Sequence, residues 1–400
     1  MKKYIAIATL ALLAGAACSK VETVESTVDT PITFSVVNHL AQTKATSGYE
    51  YPQTSSFGTF AWWNETGSGW DAKLAASEDP QTVVFMDNQK VSFLSSTWQP
   101  VDASAGTATP YYWTKTGSIT FASYSPYTNG SDKGFSAVPT YDPTDGFKFT
   151  NYTVQASDSV EGEDVLYSDL AKDCQGNTND VTNDLGSHTD DNFKGVPTLF
   201  NHALCQVGFA FRAIGPKNPN VSSITIKVTN VELLNINSKG SFTQTASTKW
   251  SSDHSVAGDR KSYTFSVPTG FADLDLIANT PENTASTTNY SDLGVTKILL
   301  PQTLVDSSSD PSYDVATTTD QVLSISYEIT INYTAGTSTT ETITDARISL
   351  AKATLTEWSD NKNITYRISI NPYADNITFD PAVKAWTDEF GTYTFTGEGA

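Results

Sequence analysis

The clearest pattern along the chain is alternation. Leu323, Ile325, Tyr327, Ile329, Ile331 and Tyr333 are separated by Ser324, Ser326, Glu328, Thr330 and Asn332. A period of two marks a half-buried strand. The turn "TAGTS" follows, and "TETITDARISL" runs back, so the spacing predicts an antiparallel hairpin. A second hairpin is predicted within "PYYWTKTGSITFASYSPY" (110–127), turning at Lys115-Thr116-Gly117-Ser118. "SSITIKVTNVELLNI", "KSYTFSV" and "NITYRISI" add further strands rich in Thr, Ile and Val, and no window carries a helical stripe. Short strands punctuated by Gly, Pro, Asn and Asp predict an all-β chain of Greek-key β-sandwiches.

Two segments break the alternation. Residues 172–197, "KDCQGNTNDVTNDLGSHTDDNFKGVP", have no apolar period and are crowded with Asn, Asp and Gly. The domain boundary is placed there, dividing 45–197 from 198–400, with the tract read as a solvated linker. Its oxygens suit calcium, but the spacing is not that of a D-x-[DN]-x-[DN]-G loop. The other break is at the N-terminus. Lys2 and Lys3 precede the apolar run Tyr4 to Leu13, and small residues lead into Cys18. That layout resembles a bacterial lipoprotein signal (1–17) with lipid on the Cys18 thiol, although Gly15 stands where Leu is usual. The acidic stretch after Cys18, with Glu22 and Glu25, resembles surface-export signals of Bacteroidetes lipoproteins.

Composition narrows the function. Among 400 residues, 44 are acidic and 24 basic, a net charge of -20. Such a surface repels nucleic acid and anionic head groups, so membrane contact is expected only through the lipid. The three cysteines, Cys18, Cys174 and Cys205, show no zinc spacing; Cys174 and Cys205 either pair or remain free thiols. No G-x-S-x-G, H-E-x-x-H, G-x-x-x-x-G-K or dinucleotide fingerprint is present, and no enzyme activity or cofactor is expected. His202 reads as a structural histidine. Trp62, Trp63, Tyr111, Tyr112 and Trp113 read either as core or as a sugar-stacking surface.

Within 18–44, "TPITFSVVNHL" places Ile32, Phe34 and Val36 on one face of a strand. The small, polar "AQTKATSG" follows, and Lys44 is the one Lys or Arg between Lys20 and Lys73. Exposed, flexible backbone around a lone cation suits a trypsin-like protease cutting between Lys44 and Ala45. The same residue also reads as an ordinary surface lysine.

In their order, "TKATSGYEYPQTSSFGTFAWW", "PYYWTKTGSITFASYSPY", "DVLYSDL", "LFNHALCQVGFAF", "LLPQTL" and "EWSDNKNITYRISINPYADNITFDPAVKAW" resemble the fimbrillin-like proteins of Bacteroidetes, the type V pilus subunits. The match runs from Thr43 to Trp386. The resemblance implies two transthyretin-like sandwiches, export as an outer-membrane lipoprotein, proteolytic removal of an N-terminal strand, and polymerisation with other fimbrial subunits by donor-strand exchange at the cell surface. Arg is the usual residue at that cut, and Lys44 departs from it. A C-terminal segment carrying Tyr393 and Phe395 is the candidate donor strand. The alternative is a monomeric surface lipoprotein that binds a glycan or host ligand.

Overall fold

A computed structural model describes residues 31–38, 51–114, 116–175, 195–213, 218–269, 271, 274–276, 290–305, 320–352, 355–371 and 377–385. More than half of these residues are in strands. The amino-terminal half contributes β1 (Phe34–Asn38), β2 (Ser56–Asn64), β3 (Val84–Leu94), β4 (Thr97–Pro100), β5 (Ser118–Ser125), β6 (Thr140–Asp142), β7 (Gly146–Thr153), β8 (Leu166–Ser168), β9 (Ala171–Cys174) and β10 (Val196–His202). One α-helix, α1 (Trp70–Ala75), interrupts them.

The first sheet runs β2-β3-β4-β1-β10-β8-β5, and β5 pairs back onto β2, so the path closes into a ring. β9 adds to β5 beside β8. Alternate side chains of β2 and β5 point into this ring and out of it. Phe57, Ala61, Ile119 and Phe121 fill its interior, while Phe60, Trp62, Ala122 and Tyr124 join a second, larger core outside. With both faces covered, all eight residues of β5 are buried. A strand buried on both sides loses the apolar-polar alternation that marks a half-exposed one.

The carboxyl-terminal half contains β11 (Cys205–Ala213), β12 (Val221–Asn237), β13 (Lys239–Thr243), β14 (Trp250–Ser251), β15 (Arg260–Phe265), β16 (Leu274–Leu276), β17 (Ser291–Leu299), β18 (Gln302–Thr303), β19 (Val322–Tyr333), β20 (Ser338–Ser349), β21 (Glu357–Trp358), β22 (Lys362–Ile370) and β23 (Ile377–Ala385). One sheet is ordered β17-β11-β22-β23, and another β15-β12-β19-β20 with β16 beside β12. They share an apolar core in which Phe209 meets Phe265 edge-on at 4.8 Å. β11 buries Val207, Phe209 and Phe211 completely. The predicted β19–β20 hairpin is present, with Asn332 opposite Ser338 and Gly336 turning the chain at φ +82°.

The halves are not separate bodies of packing. β7 pairs with β13, Phe149 stacks on Phe242 at 4.8 Å, and one core extends through both halves. β10 runs through residues 197 and 198, where the boundary is placed, and continues almost directly into β11.

The hairpin predicted over 110–127 does not form. β5 starts at Ser118, but the preceding arm pairs elsewhere: Tyr112 bridges Pro31, and the Ile32 N–H donates to the Tyr111 carbonyl at 2.7 Å. Gly117 (φ +76°) turns against β2, its N–H bonded to Thr66 Oγ1 at 3.0 Å. Both arms find better partners far away in sequence than in each other.

Candidate functional site: the seat of the N-terminal strand

β1 is short, yet it occupies a central position. It runs parallel to β10 in register from Phe34↔Val196 to Asn38↔Phe200, and on its other side Phe34 pairs with Trp98 of β4. Its apolar face points into the ring: Ile32 and Phe34 are buried, and Val36 packs partly against the same cluster. Thr33 and Ser35 are only half-buried. Phe34 meets Phe57 edge-on at 5.6 Å and Phe121 at 5.8 Å. Around them Tyr51 contacts Trp98 at 5.1 Å and Phe200 at 5.4 Å, and its hydroxyl pairs with Ser125 Oγ at 2.6 Å. Burial pushes the Tyr51 hydroxyl well above the usual phenol range, so it stays neutral in this apolar interior.

Burial of Ile32 and of Phe34 each contributes about 1.5–3 kcal/mol by transfer from water. The edge-on aromatic contacts add about 0.5–1.5 kcal/mol per pair. Against this stands the ordering of a few residues at about 1–2 kcal/mol each, so a short strand is held mainly by the two side chains it inserts. Without β1, the facing edges of β4 and β10 would present unpaired backbone groups beside an open apolar slot.

Gly195 shapes that slot. Its φ is +134°, and a Cβ there would lie 2.8 Å from the carbonyl carbon of Phe34 and 2.9 Å from the Ser35 nitrogen. The next residue, Val196, donates its N–H to the Thr33 carbonyl at 2.7 Å. Glycine thus lets β10 approach the backbone of β1 closely. Sequence reasoning passed over it because it ends the polar tract; a Gly directly before an apolar strand was the available signal.

The whole ring-and-slot arrangement lies within residues 43–386 except for β1 itself, which immediately precedes them, and those residues match the fimbrillin-like family. The chain belongs to the fimbrillin-like family. This fimbrillin-like chain is 26% identical over 390 residues to fimbrium subunit Fim1C of Phocaeicola vulgatus, covering 95% of each. Its fold is similar to that of a fimbrial protein of Bacteroides vulgatus (TM-score 0.54, 17% identity), covering 89% of this chain and 99% of that one.

Other sequence-derived sites resolve differently. Cys18, Lys44, Ala45, Tyr393 and Phe395 lie outside the described residues, as does 176–194 of the calcium candidate. Among the described residues, no group of three or more His, Cys, Asp or Glu side chains could hold a metal. Cys174 and Cys205 are free and buried, Cys174 inside the ring and Cys205 in the shared core. Trp62 is core, packed against Trp70 at 5.5 Å and Tyr141 at 5.4 Å, so it cannot present a sugar-stacking face. Trp63, Tyr111 and Trp113 pack partly against the ring interior, and Tyr112 is exposed. His202 is fully buried, with Nδ1 2.5 Å from Asp164 Oδ2, a partner that no sequence spacing revealed.

Proposed function

We propose that this fimbrillin-like chain is a structural or accessory subunit of a type V fimbria at the cell surface, with a role in adhesion. It is exported as an outer-membrane lipoprotein on Cys18 and activated by a cut after Lys44. The observation that carries this reading is the seat of β1. A strand placed centrally, paired with β10 and inserting Ile32 and Phe34 into a closed interior, is one whose departure creates a demand for an identical substitute. Cleavage after Lys44 leaves 400 − 44 = 356 residues, free of both lipid anchor and β1. A strand from a second subunit then fills the slot, and the segment carrying Tyr393 and Phe395 is the assigned donor.

Brief trypsin treatment of the folded precursor tests this. Cleavage at Lys44 followed by SDS-resistant ladders is expected, with Lys44→Ala remaining intact and monomeric. Deleting residues 388–400 should leave a folded monomer that no longer forms ladders. Equal polymerisation of Lys44→Ala would overturn the switch, and ladders from the deletion variant would overturn the donor. A chain that is cut yet stays monomeric would instead support the ligand-binding lipoprotein.

A further inference from the structure

The inward face of β17 carries a charge. Lys297 stands opposite Val207 of β11, two residues before Leu299, which stands opposite Cys205 and lies in the shared core. It is only 1% exposed. A buried cation costs far more than a buried leucine unless its donors are met. Lys297 Nζ donates to the carbonyls of Ser157 at 2.5 Å, Asp158 at 3.0 Å and Val160 at 3.3 Å, and it lies 5.7 Å from the centre of the Phe265 ring. The acceptors belong to one surface turn of the amino-terminal half, whereas Lys297 and Phe265 belong to the carboxyl-terminal half. That turn is held without the lysine. Ser157 and Val160 bridge each other, the Thr264 N–H donates to Asp158 Oδ1 at 2.8 Å, and the Ile298 N–H donates to the Glu161 carbonyl at 2.8 Å. Burial pulls the Lys297 ammonium below the usual lysine range, and the negative charges of Asp158 and Glu161 oppose that shift.

We propose that the turn from Ser157 to Val160 is a preformed site for a primary ammonium ion, and that Lys297 is its tethered ligand. Three observations select that class. Three carbonyls converge on one nitrogen, which matches an ammonium group with its three N–H donors and no acceptor. The nearby carboxylates are engaged elsewhere, Asp158 by Thr264 and Glu161 by Gln206 Nε2 at 2.8 Å and by Thr296, so the oxygens that meet Nζ are neutral and suit a monovalent cation over a divalent one. The Phe265 ring adds a cation–π attraction that a neutral donor would not receive. At this point the two halves are joined by an ion-binding equilibrium whose ion is covalently attached. Neither β1 nor Lys44 takes part, so the site exists whether or not the chain assembles.

In the full chain, Lys297→Ala removes the side chain from Cγ to Nζ, the equivalent of propylammonium. Compared with equal sodium chloride, propylammonium chloride should raise the thermal midpoint of that variant saturably and slow hydrogen exchange at residues 157–161 about tenfold. Tetramethylammonium, which has no N–H, and neutral propanol should do neither, and wild type should respond to none of them. Equal effects of propylammonium and sodium would overturn the site. Equal effects of propylammonium and propanol would reduce it to an apolar cavity and overturn it as well. Lys297→Met keeps an apolar stem and discards the charge, so exchange at 157–161 should rise about tenfold while the β19–β20 hairpin is unchanged. Should Lys297→Ala not fold, wild-type exchange at 157–161 in Lys297→Met would overturn the proposal.

Discussion

β1 and β20 are both strands, but they are held in opposite ways. β1 has five residues, lies between β4 and β10, and pairs with residues far along the chain. β20 has twelve, stands at the edge of its sheet among the described residues, and pairs with β19 through a tight local turn. Most of β20 from Ser338 to Asp345 is exposed, whereas β1 inserts an aromatic side chain into a closed ring. Length therefore does not measure a strand's importance. What a strand encloses does, and so does the loop entropy spent in bringing it there. A local hairpin can form by itself. A strand that closes a ring forms only when the rest of the ring is present, and the ring lacks its seal when that strand is gone.

The sharpest way to break this comparison is to remove residues 1–44 and probe the two buried thiols. Burial pushes Cys174 up to about 12 and Cys205 higher still, so at pH 8 both are protonated and sealed from reagent in the intact chain. Because the folded-state values lie above pH 8, raising the pH within the stable range does not expose a thiolate. After removal of β1, Cys174 inside the ring should react with a thiol reagent while Cys205 in the shared core stays protected, as read by mass spectrometry. Simultaneous reaction of both would show that the ring and the shared core open as one unit.

Phe34→Ala comes next. It empties an aromatic site in the ring interior and should lower stability by about 3–5 kcal/mol in urea unfolding. A loss below about 1 kcal/mol would mean that β1 is held by its backbone rather than by its side chain.

Gly195→Ala should cost about 1–3 kcal/mol, since the new methyl group meets the backbone of β1 at a positive φ. Hydrogen exchange should locate the weakening at β1 and β10. A wild-type exchange pattern would separate the close approach of these strands from their stability.

The smallest effect belongs to β20. Thr340, exposed and 3.2 Å from Thr330 Oγ1 across the hairpin, can become Ala with a change within about 0.5 kcal/mol. A much larger loss by the same urea assay would make the edge strand as consequential as the central one and erase the contrast.

The β19–β20 hairpin and the inward face of β1 were legible because one side of each meets solvent or a less buried layer, leaving a trace of period two. β5 was only partly legible, since burial on both faces removes that trace and its predicted partner arm pairs near β1 instead. The seat itself was half-visible: Ile32, Phe34 and Val36 declared a strand face, but neither Gly195 nor the Phe57, Phe121 and Phe200 contacts can be inferred from local spacing. The family pattern across Thr43 to Trp386 was present in the order of the motifs and coincides with residues 43–386.

By itself the amino-acid sequence determined the strand-rich character of this chain, its acidic surface and the apolar face of β1, because alternation and charge are local properties of neighbouring residues. Tertiary structure alone decided that β1 closes a ring beside β10, that β7 joins β13 in a core shared by both halves, and that His202 meets Asp164. Those outcomes depend on pairings between residues distant along the chain. Such pairings are selected by competition among all available edges and apolar faces, a contest that no local window contains.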